Sequence, residues 1–107
     1  DGEWVAHVGV FRRELSGGVL VAGVAQVCTA EAHRGRGLAT QLVGEAERWA
    51  RQHGIPFTVL FCGIPGFYER IGYRIVENLP APDVAMVNEL GADRWPTQPL
   101  MLNGEPW

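Results

Sequence analysis

A mixed α/β fold (α+β in the arrangement of its elements) is predicted, an antiparallel hairpin followed by a β-α-β-α-β run on one sheet. Three observations predict it. Two β-rich stretches, residues 4–15 and 19–29, flank the turn signal Ser16-Gly17-Gly18. An amphipathic helical pattern follows a glycine-bearing loop. A short continuous apolar run then appears at residues 57–62, where a helix has returned the chain to the sheet.

The first stretch carries Val5, Val8, Val10 and Phe11, and the second alternates small and branched residues. Residues 30–37 form a loop containing His33-Arg34-Gly35-Arg36-Gly37. In the helix after it, Leu38, Leu42, Val43, Ala46, Trp49 and Ala50 share one face. Glu45, Glu47, Arg48, Arg51 and Gln52 fill the other, with Glu47 and Arg51 spaced for an i,i+4 ion pair. Gly54 is placed to end this helix as a left-handed cap, and Pro56 forbids its continuation.

The run Phe-Thr-Val-Leu-Phe-Cys at 57–62 reads as a buried strand parallel to the one before it. Pro65 suits the first turn of a short helix carrying Phe67, Tyr68 and Ile71, which Gly72 stops. Residues 73–76 are a further strand. Residues 78–99, with their prolines and small polar residues, read as loop, and 100–102 as a final short strand.

With 107 residues, the chain suits one small domain built on one core. A net charge of −3 leaves no basic footprint, so nucleic acid is not an expected partner. No apolar run approaches the roughly 20 residues that span a bilayer, so no membrane segment is expected. No signal peptide is visible either. Cys28 and Cys62 are too few for a disulfide framework or a zinc site; no metal is expected, and a reducing cytoplasm is implied.

Residues 27–40, VCTAEAHRGRGLAT, carry the most chemistry. Glycines at 35 and 37 let the backbone approach a ligand closely. The helix start leaves main-chain N–H groups unpaired at the positive end of the helix dipole. Together these form a seat for a pyrophosphate, with Arg34 and Arg36 adding charge. Three readings meet this pattern. One is a plain turn with two solvated arginines. Another is a dinucleotide-binding turn, which lacks its third glycine or alanine at Thr40 and has a hairpin in front of it. A P-loop is excluded, since the chain contains no lysine.

In the third reading, Arg34-Gly35-Arg36-Gly37-Leu38-Ala39 resembles the pyrophosphate motif Q/R-x-x-G-x-G/A of the GNAT superfamily of acyl-CoA-dependent N-acetyltransferases. Val27-Cys28-Thr29 resembles the end of that family's central strand, and Glu31 departs from the proline common there. The resemblance implies that Val27, Cys28 and Thr29 pair with the pantetheine arm of acetyl-CoA. It also implies that the amides of Arg34, Gly35, Arg36, Gly37, Leu38, Ala39 and Thr40 hold the pyrophosphate. Two parallel strands should splay, leaving the thioester in the gap between them.

Phe67-Tyr68-Glu69-Arg70-Ile71-Gly72-Tyr73 is similar to a second family pattern, Phe-Tyr-x-x-x-Gly-Phe, with Tyr73 replacing the last Phe. There Tyr68 takes the place of a tyrosine that protonates the departing thiolate. A phenol ionises at about 10, so it holds its proton at neutral pH. On the residues alone, Phe67 and Tyr68 also read as packing aromatics.

A base for the incoming amine is drawn from His7, Glu3, His33 and the carboxylate on Trp107. The ending Asn103-Gly104-Glu105-Pro106-Trp107 resembles that of some aminoglycoside acetyltransferases of the family, and Trp95 and Trp107 read as acceptor-side packing groups or interface anchors.

The resemblance spans residues 3–103. It leaves the family's first strand and two following helices without a counterpart, so residues 1–107 read as one GNAT-like domain truncated at its N-terminus. A sheet face left bare by that truncation would favour a homodimer. The expected activity is transfer of acetyl from acetyl-CoA to a small-molecule amine, aminoglycoside-like in charge. The alternative is a non-catalytic acyl-CoA-binding or interaction domain.

Overall fold

In a computed structural model, residues 2–5, 8–25, 36–62, 65–81 and 83–102 are described. Six strands form one mixed sheet in the order β1-β2-β3-β4-β6-β5. They are β1 (Gly2–Val5), β2 (Val8–Glu14), β3 (Leu20–Ala25), β4 (Phe57–Cys62), β5 (Arg74–Val76) and β6 (Val84–Glu89). Two helices accompany them, α1 (Arg36–Gln52) and α2 (Pro65–Glu69).

The pairing of β3 with β4 is parallel, from Val21↔Phe57 to Val24↔Leu60. All other pairings are antiparallel. This is the predicted order of a hairpin, then a strand, helix, parallel strand, short helix and strand.

Three expectations are corrected. Residues 4–15 are not one strand: they hold the end of β1 and all of β2, paired from Val5↔Val8 outward. Ala6 and His7 carry no glycine or proline, so no turn signal separated the two strands. Residues 78–99 are not all loop, because they contain β6. Flanking prolines masked the apolar core of that strand, Val84-Ala85-Met86-Val87, which pairs with β4 on one side and β5 on the other. Residues 100–102 are not a strand. They are held by isolated bonds instead: Leu100 N–H donates to the Asn78 carbonyl, and Ser16 N–H to the Met101 carbonyl.

Alternation along the strands builds two cores. On the α1 side lie Ala22 and Val24 of β3, Leu60 and Cys62 of β4, and Met86 of β6, packed with Val43, Ala46 and Ala50 of α1. The opposite face carries Val21, Phe57, Val59, Ala85 and Val87, covered by Leu79, Trp95 and Leu100 from the C-terminal stretch. The C-terminal stretch therefore covers the β3, β4 and β6 part of that sheet face. Trp95 is likewise a core residue rather than an interface anchor: it is 5% exposed and meets the Phe57 ring edge-on.

Both helices end alike. Gly54 has φ +69°; its N–H donates to the Arg51 carbonyl, and that of Ile55 to the Ala50 carbonyl. Gly72 has φ +104°, and Gly72 and Tyr73 donate to the Glu69 and Tyr68 carbonyls. These are Schellman caps, in which a left-handed residue satisfies the last carbonyls and turns the chain sharply back. Among the described residues, no helix is long and apolar enough to cross a membrane.

Candidate functional site

The predicted cradle lies on the connection from β3 to α1. Val27, Cys28, Thr29, Arg34 and Gly35 fall outside the described residues. α1 begins at Arg36, so Arg36, Gly37, Leu38 and Ala39 supply its first turn. The four N–H groups there have no partner within the helix. No acidic residue stands in that turn, so the turn itself brings no carboxylate against an anion. Thr40 follows and is exposed. The donor set and its charge therefore fit a pyrophosphate.

α1 then crosses to β4, and the short helix α2 follows β4. Tyr68, on α2, is 0% exposed. It shares a buried cluster with Val24 and Leu60, which are register partners across the parallel strands, and with Cys62 at the end of β4. Tyr68 thus belongs to the core on the α1 side of the parallel pair, at its C-terminal end. Phe67 lies on the same helix; its side chain is outside the described set.

Of the candidate bases, His7, His33 and Trp107 lie outside the described residues. Glu3 is placed on β1 only by its backbone. Cys62 is a buried thiol donating toward Met86 Sδ at 3.9 Å, which fits the apolar role expected of it; Cys28 is outside the described set.

One group in this region was not singled out from the sequence. Tyr73 lies 2% exposed beyond the Gly72 cap, with its ring edge-on to Tyr68 at 6.5 Å between centroids. Its Oη is 2.7 Å from Thr58 Oγ1 of β4. Thr58 is fully buried, the single buried polar residue among those described. Burial drives the Tyr73 phenol well above its ordinary ionisation, and the Glu47 carboxylate nearby adds to this. Glu47 does not pair with Arg51 as its spacing suggested. It accepts from Asn88 Nδ2 of β6 at 2.8 Å instead. The one legible signal was Tyr73 itself, an extra hydroxyl in a motif that ends in Phe, with a Thr inside an otherwise apolar strand.

A mixed sheet with one parallel pair, a helix crossing between the two strands of that pair, and a short helix after the second of them make a GNAT-like fold. A family model described as an acetyltransferase (GNAT) domain matches residues 1–76, and the chain belongs to that family.

The uncharacterised N-acetyltransferase SCO2625 of Streptomyces coelicolor is 39% identical over 80 residues, which cover 68% of this chain and 19% of that protein. Among solved structures, the GNAT family N-acetyltransferase YhbS of Escherichia coli, in complex with CoA, superposes with a TM-score of 0.69 at 24% identity, over 90% of this chain and 58% of that one. An N-acetyltransferase fold from Lactobacillus plantarum superposes with a TM-score of 0.57 at 28% identity, over 78% and 60%. The chain thus spans about a fifth of the Streptomyces protein and under two thirds of either structure.

Proposed function

We propose that residues 1–107 form one acetyltransferase domain that moves acetyl from acetyl-CoA to a primary amine of a small molecule. One observation carries this reading. The first turn of α1 offers the amides of Arg36, Gly37, Leu38 and Ala39 and contains no acidic residue, on the crossover between the two parallel strands. The CoA complex of the Escherichia coli structural neighbour supports the choice of ligand.

In this reading residues 34–40 grip the pyrophosphate. The main chain of Val27 and Thr29 aligns the pantetheine arm as an added strand. An amide at Val27 or a neighbour stabilises the oxyanion formed when the neutral amine attacks the thioester. Tyr68 donates its phenolic proton to the leaving sulfur, so that free thiol and N-acetyl product depart. The acidic balance of the chain suits a cationic acceptor of the aminoglycoside kind, and a cytoplasmic setting suits a free-thiol protein.

The full burial of Tyr68 favours a second reading, in which that ring only packs and the domain binds acyl-CoA without turnover. Thiol release from acetyl-CoA, followed with a panel of primary amines, separates the two. The proposed activity predicts amine-dependent release. Binding of CoA with no release above the amine-free rate for any member of the panel favours the second reading.

A further inference from the structure

We propose that Tyr73 is a positioning residue for Tyr68, with its hydroxyl anchored by Thr58 so that its ring holds the Tyr68 ring in place. The inference rests on the reading of Tyr68 as the proton donor.

The main chain fixes the start of both side chains. Gly72, at φ +104°, turns the chain so that Tyr73 N–H reaches the Tyr68 carbonyl at 3.0 Å. In such a cap the residue after the glycine packs back on the last turn of the helix. Here that contact is aromatic: the rings meet at 76°. Edge-on pairs of this kind are favourable beyond the area they bury.

The hydroxyl then fixes the Tyr73 ring at its far end. A phenylalanine would fill the same space with no polar atom to satisfy. A buried hydroxyl needs a partner, and β4 supplies one in Thr58 at 2.7 Å. Either hydroxyl can donate in this pair, and the Glu47 carboxylate, held by Asn88 Nδ2 at 2.8 Å, lies near enough to oppose ionisation of Tyr73. The ring is thereby tied to β4. Because ionisation of Tyr73 is strongly opposed, the anchor stays a neutral hydroxyl across the working range.

Tyr68 and Tyr73 are the only two tyrosines in the chain, so ring-labelled tyrosine gives a spectrum with two residues to assign. Tyr73→Phe then leaves Tyr68 alone. In the intact protein the Tyr68 ring should flip slowly, with separate signals for its two edges. In Tyr73→Phe and in Thr58→Val those signals should merge. With the best amine, kcat should fall about tenfold in both variants, with KM for acetyl-CoA within twofold. Thr58→Ser, which keeps the hydroxyl, should restore both readouts.

Unchanged Tyr68 ring signals in Tyr73→Phe would overturn the proposal whether or not turnover is found. So would merged signals with an unchanged kcat. Turnover that survives Tyr68→Phe refutes the proton-donor assignment, and with it a catalytic use for the positioning; the ring signals still show whether Tyr73 holds that side chain.

Discussion

Glu89, at the end of β6, accepts the main-chain N–H of Trp95 through Oε2 at 2.6 Å. The same carboxylate meets Arg74 at 3.2 Å and Arg94 at 3.6 Å. It closes the loop that carries Trp95 over the second core. The Trp95 N–H, more than the two arginines, holds the Glu89 carboxyl below its ordinary value of 4.5. A depressed folded-state value means that the folded protein prefers the charged form more than the unfolded chain does. The stabilisation is therefore complete above about 4.5 and is lost as pH falls through the lower folded value. Glu89→Gln should cost about 1 kcal/mol at neutral pH. Urea unfolding of both proteins between neutral pH and pH ~3 should show the difference shrinking on the acid side. A difference independent of pH would contradict the role given to this carboxylate.

Asn78 organises the rest of the same stretch. Its Nδ2 donates to the carbonyls of Pro96 and Gln98, each at 2.8 Å, and its Oδ1 accepts from Trp95 Nε1 at 2.8 Å. Asn78→Ala leaves these groups without their partner, and the cost of such a loss is about 2 kcal/mol. Equilibrium unfolding should show that loss, with near-ultraviolet dichroism reporting a changed Trp95 environment. Stability within a few tenths of the parent would show that water replaces the side chain.

Tyr68→Phe tests the proton donor. Removing a general acid lowers rate by about a hundredfold or more. If the amine attacks and Tyr68 protonates the sulfur, kcat should fall by that order while KM for acetyl-CoA stays within twofold. A variant with wild-type kcat would return Tyr68 to packing alone.

The continuous run Phe57-Thr58-Val59-Leu60-Phe61-Cys62 made β4 legible, because a strand buried on both faces need not alternate. The α1 face was legible from its helical period, and Val43, Ala46 and Ala50 are buried as that period requires. β6 was not, since its apolar residues sit between proline-rich segments that locally resemble loop. The break between β1 and β2 was not, since Ala6 and His7 give no turn signal in the sequence. At the candidate site, the onset of α1 was legible because glycine spacing and helix starts are local, although the helix begins at Arg36, inside the loop read over residues 30–37. The Thr58–Tyr73 bond joins residues 15 apart in sequence, and Asn88 reaches Glu47 across 41. Pairings of that range depend on how elements far apart in the sequence come together, which reading each element by itself does not fix.

The central claim is that the start of α1 grips a diphosphate, and calorimetric titration of coenzyme A into the protein and into Gly37→Glu tests it most directly. Glutamate is a better helix former than glycine, so the variant should keep its fold while placing a carboxylate in a turn that has none. The account predicts micromolar binding to the parent, weakened at least tenfold in the variant, with unchanged far-ultraviolet dichroism. No binding to the parent below millimolar coenzyme A, or equal affinity in both proteins, would contradict it.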